Sequence, residues 1–175
     1  DALTQFDDLL NDATASRLVA DVPLGVFLSG GLDSSAIAYY AQKNSEQKIK
    51  TFSIGFEEKS YDETDHARLV AKHLGTDHHE KILTAQDSLD LLPAITAQLD
   101  EPFADASIIP TYLLSQFTRE RVTVALGGDG SDELLAGYPT FTSDYVRGIY
   151  GAMPRPIKSL ANRMADLLPV SDANI

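Results

Sequence analysis

VFLSGGLDSSAIAYY, residues 26–40, passes from an apolar run to a helix-like pattern within one short turn. Gly25 to Leu28 reads as a short strand buried on both faces. Beyond Ser29-Gly30-Gly31, residues Ala36, Ile37, Tyr40 and Ala41 share one face of a helix. Glycines let the backbone approach a ligand closely and aim several N–H groups into one concavity. The helix start adds unsatisfied N–H groups and the positive end of its dipole, so an anion is favoured there. Ser29, Ser34 and Ser35 add hydroxyls. These features together describe a pyrophosphate cradle.

Two familiar loops do not fit. The GxxxxGK[ST] pattern needs a lysine where Leu32-Asp33 stands, and GxGxxG is absent. Asp33 would repel phosphate unless a cation lay between them. Mg²⁺ is the expected mediator, because it takes one or two carboxylates and fills its other positions with phosphate oxygens and water. The plainer alternative is a tight strand-to-helix turn with Asp33 as a helix cap.

Outward from this turn the chain alternates. TFSIGF (51–56) is a second strand, and Ser60-Tyr61-Asp62-Glu63 fits a capping box for a helix burying Ala67, Val70, Ala71 and Leu74. Gly75 sits at the expected left-handed cap. His79–Leu83 reads as a short strand, Leu89–Leu99 as a helix with Pro93 as a kink, Ile108–Arg119 as a helix, and Val122–Leu126 as a strand. Residues 3–20 carry Leu3, Phe6, Leu9, Leu10, Ala13, Leu18 and Val19 at helical spacing. The expected fold is α/β, a parallel sheet with helices on both faces. From Ala136 the pattern is all-helical. Residues 1–138 form the expected core, and 139–175 begin a truncated helical region.

A second turn repeats the design. VALGGDGSDELLAGY (124–138) runs from a strand into Gly127-Gly128, then places Asp129, Asp132 and Glu133 at a helix start. In parallel sheets ligands sit beyond the carboxyl ends of the strands. Two glycine-rich, acid-bearing loops there can face one crevice. Acids this close repel one another unless a cation or solvent offsets them.

The bulk numbers narrow the class. The 175 residues are 43% hydrophobic with a formal net charge of −12, enough for a real core and unsuited to nucleic acid or an anionic membrane. Cysteine is absent, which removes disulfides and thiolate sites and fits a cytoplasmic protein. No stretch approaches the about 18 apolar residues of a membrane span. The first residue is Asp1, as expected for a piece of a longer protein.

Ser29-Gly30-Gly31-Leu32-Asp33-Ser34 matches the SGGxDS signature of PP-loop ATP pyrophosphatases. With TFSIGF, the VAKHLGTDHHE segment, DEPFADASIIPTYLLS and GGDGSDELLAGY, residues 22–138 resemble the synthetase domain of glutamine-dependent asparagine synthetases. The resemblance implies this chemistry. Mg·ATP binds the loop, the aspartate side chain attacks the α-phosphorus to give β-aspartyl-AMP and pyrophosphate, and ammonia displaces AMP. It places Mg²⁺ on Asp33 and Asp132, and the pyrophosphate on Ser29, Gly30, Gly31 and Ser34. It places the nucleotide also against Phe27, Leu28, Gly127 and Gly128, with adenine at the Ile54-Gly55 backbone. Asp129 occupies a position often filled by glutamate near the reacting carboxylate.

The resemblance further implies an N-terminal glutaminase domain in the parent chain as ammonia source, and homodimers resting largely on surfaces outside residues 1–175. A lysine the family uses near the transferring phosphoryl group is expected past Ile175. Two alternatives remain at this stage: the same chemistry on another carboxylate (cell-surface, peptide or β-lactam precursors), and a catalytically silent ATP-binding module. His66, His73, His78 and His79 show no zinc pattern and are assigned surface or structural roles. Asp100, Glu101, Asp105 and Ser107 are caps or substrate-side groups. Arg147, Arg155, Lys158 and Arg163 form a solvated helical face.

Overall fold

The structure, a computed structural model, describes residues 1–58 and 62–165. Ser60 and Tyr61 of the expected capping box lie outside the described residues. Four strands, β1 (Leu24–Phe27), β2 (Lys50–Phe56), β3 (Asp77–Leu83) and β4 (Val124–Leu126), form one sheet in the order β3-β2-β1-β4. All three pairings are parallel. Each crossover therefore carries helix, as parallel connections require. α1 (Ala2–Arg17) precedes β1, and the crossovers carry α2 (Leu32–Lys43), α3 (Thr64–Leu74), and α4 (Ala85–Thr96) with α5 (Ile108–Arg119).

Side-chain alternation along β1 splits the core between the two faces of the sheet. Val26 and Leu28 pack with Ala38 and Ala41 of α2 and Ala67 and Ala71 of α3. Phe27 turns the other way, joining Phe52, Phe117 and Val122. Phe52 meets Phe117 edge-on at 5.9 Å between ring centroids. Small residues of α2 and α3 thus pack on one face of the sheet, and Phe117 of α5 packs on the other.

Several local details differ from the sequence expectation. On α1, Leu3 is 78% and Leu9 70% exposed, and Thr14 is its buried residue. Its tie to α2 is polar instead. Tyr40 donates to the Asp7 carboxylate, and that contact, with burial, pushes the phenol up to about 12. β3 is longer than expected, seven residues, and pairs along its whole length with β2. α4 begins at Ala85 because Thr84 and Asp87 form a reciprocal capping box, and Pro93 lies within it. β4 has three residues; its entry is steered by Thr123 N donating to Pro23 O at 2.9 Å. Gly75 ends α3 at φ +74, the left-handed cap.

The chain divides into two compact units, residues 1–129 and Gly130 onward. Within the second, the described residues hold α6 (Ser131–Leu135), α7 (Pro139–Ala152) and α8 (Arg155–Ala165).

Candidate functional site

β1 ends and α2 begins with nothing between them except Leu28 and the Ser29-Gly30-Gly31 turn. Leu28 N still donates to Phe52 O at 2.8 Å, extending the ladder to the lip of the turn. Gly31 is the N-cap of α2, and no side chain caps that helix. Asp33 lies in the first turn rather than at the cap, so the plain helix-cap reading of Asp33 does not hold. Apart from Gly31 N, which bonds Ser29 Oγ, the N–H groups that every helix start leaves unpaired have no side-chain acceptor among the described residues.

The two serines organise the loop from within. Ser29 Oγ and Ser34 Oγ lie 2.9 Å apart, Ser29 N donates to Ser34 Oγ at 3.2 Å, and Gly31 N donates to Ser29 Oγ at 3.2 Å. Ser34 Oγ in turn donates to Gly31 O at 3.3 Å. These bonds pin a turn that has little packing of its own.

The glycines answer to their neighbours. Gly30 has φ +88, and a Cβ there would stand 2.5 Å from Ala67 N and 2.7 Å from His66 C. The turn therefore rests directly on the backbone of α3. On the other side, a Cβ at Gly128 would stand 2.9 Å from Ser34 N and 3.0 Å from Asp33 Cβ. The end of β4 and the start of α2 thus meet backbone to backbone. Gly127 is short for another reason: the Asp129 carboxylate occupies the space its Cβ would fill. In the second unit Gly137 does the same for Asp132, whose Cγ would be 3.0 Å from an added Cβ.

Ile54 lines a cavity of about 470 Å³ that also touches Leu28, Ser29, Phe56, Glu63 and Thr111. Thr64 also lines it, and the neighbouring Asp62 carboxylate accepts from Thr64 N at 3.2 Å and Thr64 Oγ1 at 3.0 Å. The Thr64 hydroxyl and amide hold the Asp62 carboxyl below its ordinary range. A Cβ at Gly55 would stand 2.7 Å from Ile82 Cδ1 and 2.9 Å from Asp62 Oδ1 and closer still to Thr64 Cγ2, so these side chains would have to shift to admit one.

Phe27, Leu28, Ser29, Gly30, Gly31, Asp33, Ser34, Ile54, Gly55, Gly127, Gly128 and Asp129 therefore all belong to the unit ending at Asp129, at or next to the carboxyl ends of β1, β2 and β4. Asp132 belongs to α6 of the second unit. Among the described residues no three His, Asp or Glu side chains converge as a metal cage. Mg²⁺ at a phosphate loop needs one or two carboxylates, the rest coming from phosphate and water. Asp33 meets that requirement, since no described residue bonds its carboxylate and the uncapped helix start adjoins it.

Sequence reasoning missed the α5 contribution to the cavity (Pro110, Thr111, Leu114) and the α3 shelf under Gly30, while Ser107, named there as a cap or substrate-side group, both stands at the α5 N-cap and lines the cavity. Neither has a local signal. Both arise where elements distant in sequence are packed by the sheet. Asp105 accepts from Ser107 N at 2.9 Å, and that bond lowers its carboxyl. His78 is structural, its Nδ1 lying 2.9 Å from Thr51 Oγ1 and its Nε2 3.4 Å from Ser53 Oγ.

Residues 5–172 match the asparagine synthase family. The chain belongs to the asparagine synthase family. Glutamine-hydrolysing asparagine synthetase 1 of Bacillus subtilis is 35% identical over 162 residues, covering 93% of this chain and 26% of that protein. A Methanocaldococcus jannaschii relative is 39% identical over 175 residues, covering 94% of this chain and 34% of its own. The chain thus spans about a quarter to a third of the length of these curated relatives. The fold is shared with two solved structures. An NH3-dependent NAD synthetase from Campylobacter jejuni has a TM-score of 0.52 at 17% identity, covering 77% of this chain and 60% of that one. An NMN synthetase from Francisella tularensis has 0.54 at 15%, covering 77% and 58%. The parallel sheet flanked by helices that the sequence leads one to expect is the one observed.

Proposed function

We propose that the protein is an ATP-dependent ligase that amidates aspartate to asparagine, with ammonia delivered from glutamine hydrolysis in another domain of the parent chain. The observation that carries this reading is the backbone contact of Gly128 with Asp33-Ser34. It joins two glycine-rich strand-end loops of an asparagine synthase family chain around one uncapped helix start.

In this reading the β- and γ-phosphates of ATP lie in the Ser29–Ser34 turn. They accept from the first N–H groups of α2 and from the Ser29 and Ser34 hydroxyls, which exchange part of their mutual bonding for the ligand. The base occupies the cavity beside Ile54-Gly55. Asp33 would hold Mg²⁺, which neutralises phosphate charge when bound, and the family resemblance assigns Asp132 a metal role as well. The β-carboxylate of aspartate attacks the α-phosphorus. A P–O bond forms, the bond to the β-phosphate breaks, and pyrophosphate leaves with its electron pair. Ammonia then adds to the acyl carbon of β-aspartyl-AMP and loses a proton as the C–O bond to AMP breaks. Asp129 is assigned to the side of the reacting carboxylate. This chain's residues bind, orient and shield the reactants, and such positioning and electrostatic fit supply most of the catalysis in phosphoryl chemistry.

The test is Mg·ATP binding by calorimetry on the full-length protein and on Asp33→Asn. The reading predicts binding that requires Mg²⁺ and weakens at least about tenfold in the variant, the loss of one charge-assisted contact. Equal binding with and without Asp33 would remove it.

A further inference from the structure

Gly30 rests on the His66–Ala67 peptide of α3, so the place of that helix sets the place of the loop. Packing gives α3 little lateral hold at this point. Its buried residues are Thr64, Ala67 and Ala71, and the larger Val70 and Leu74 meet the core nearer its C-terminal end. An alanine methyl makes few contacts and resists sliding less than a longer side chain does. Thr64 bonds Asp62, in the turn before the helix, and not the sheet.

Arg68, the residue after that peptide, supplies a tie. Its Nε donates to Glu80 Oε2 at 3.2 Å and its Nη2 to Glu80 Oε1 at 2.9 Å. Glu80 belongs to β3, the edge strand, and stands opposite Ser53 of β2. Among the described side chains of α3, Arg68 alone hydrogen-bonds a strand. Two parallel bonds fix angle as well as distance. The fork thus sets where the second turn of α3 stands over the sheet. The third donor, Nη1, reaches Asp65 Oδ1 at 2.7 Å and stays within the helix. With side chains 53% and 34% exposed, Arg68 and Glu80 add little to overall stability.

We infer that Arg68 and Glu80 are positioning residues for the nucleotide, their fork holding the α3 shelf on which the phosphate loop lies. This rests on the nucleotide reading of the site given above. Neither side chain touches the ligand; both act through the His66–Ala67 peptide and Gly30.

The experiment is calorimetric titration of the full-length protein with Mg·ATP. Wild type is compared with Arg68→Gln, Arg68→Lys, Glu80→Gln, the Arg68→Gln/Glu80→Gln double variant and Asp65→Asn, with urea unfolding confirming that each is folded. Arg68→Gln and Glu80→Gln should each weaken binding about threefold to fivefold, the worth of a well-formed surface pair. The double variant should lose no more than either single one, because one fork is shared. Arg68→Lys keeps the charge but cannot form the fork, so it should behave as Arg68→Gln does. Asp65→Asn, which breaks only the bond within the helix, should bind as wild type. A field effect on the anionic ligand would give opposite signs, with Glu80→Gln binding tighter, and that result overturns the inference. So does a lowered unfolding midpoint with unchanged affinity, since a purely structural pair would behave that way. Both outcomes leave the nucleotide site standing. A wild type that does not bind Mg·ATP removes the nucleotide reading and this inference together.

Discussion

Replacing Gly30 by alanine should damage the protein in a way that a matched glycine does not. Gly30 and Gly75 both lie in the left-handed region, at φ +88 and +74. An L residue there costs about 1–2 kcal/mol. At Gly75 nothing stands within 4 Å of the added Cβ, so Gly75→Ala should cost about that backbone term and no more. At Gly30 the added Cβ lies 2.5 Å from Ala67 N and 2.7 Å from both His66 C and His66 Cβ. Two of these are main-chain atoms in the first turns of α3, which cannot swing aside as a side-chain tip would. Overpacking of this kind adds about 1–3 kcal/mol, giving about 2–5 kcal/mol for Gly30→Ala in total. Urea unfolding followed by far-UV circular dichroism reads the difference through the midpoint at constant slope. Mg·ATP titration should show a loss for Gly30→Ala and none for Gly75→Ala. If Gly30→Ala costs no more than Gly75→Ala, the loop does not rest on α3 as described.

Gly128→Ala should separate stability from binding. Its Cβ would wedge between β4 and the start of α2, 2.9 Å from Ser34 N. The expected cost is about 1–3 kcal/mol in urea unfolding, with loss of Mg·ATP affinity of tenfold or more as the loops part; unchanged affinity would contradict the proposed site. Stability should also fall on mild acidification. Burial holds the His78 imidazole below its ordinary value of 6.5, outweighing Glu80, which pulls the other way, and joined by His79 and Arg68. A group depressed in the folded state binds its proton mainly after unfolding. Its contribution is therefore present above pH 6.5 and lost as the pH falls from there through the folded-state value. Unfolding midpoints at stepped pH should show this slope in wild type and a flatter one in His78→Gln.

The turn at 29–34 was legible because its determinants are local. The apolar run, the two glycines, and the spacing of Ala36, Tyr40 and Ala41 all belong to one continuous segment. The same holds for Gly75 and for Ile108–Arg119, which forms α5 with those bounds. The α1 surface was not legible. Helical periodicity says which residues share a face, not whether that face meets the core, and Leu3 and Leu9 turn out exposed. The start of α4 was hidden because Thr84 and Asp87 cap it with a box whose third-position acid is aspartate rather than glutamate. At the site, sequence gave the loops but not what they lean on. The demands on Gly30 and Gly55 come from Ala67 and Asp62 in the β2–β3 crossover, and that on Gly128 from Ser34 in the β1–β2 crossover. Glu63 stood in a segment read as a cap, and its place along the cavity emerged once α3 and β2 were packed together.

The central claim is most directly tested by AMP and pyrophosphate release from Mg·ATP, using the full-length protein with ammonia and a panel of amino-acid carboxylates. The account predicts release that requires aspartate, yields asparagine in equal amount, and collapses in Asp33→Asn. Measurable Mg·ATP binding with no AMP release on any carboxylate would contradict it.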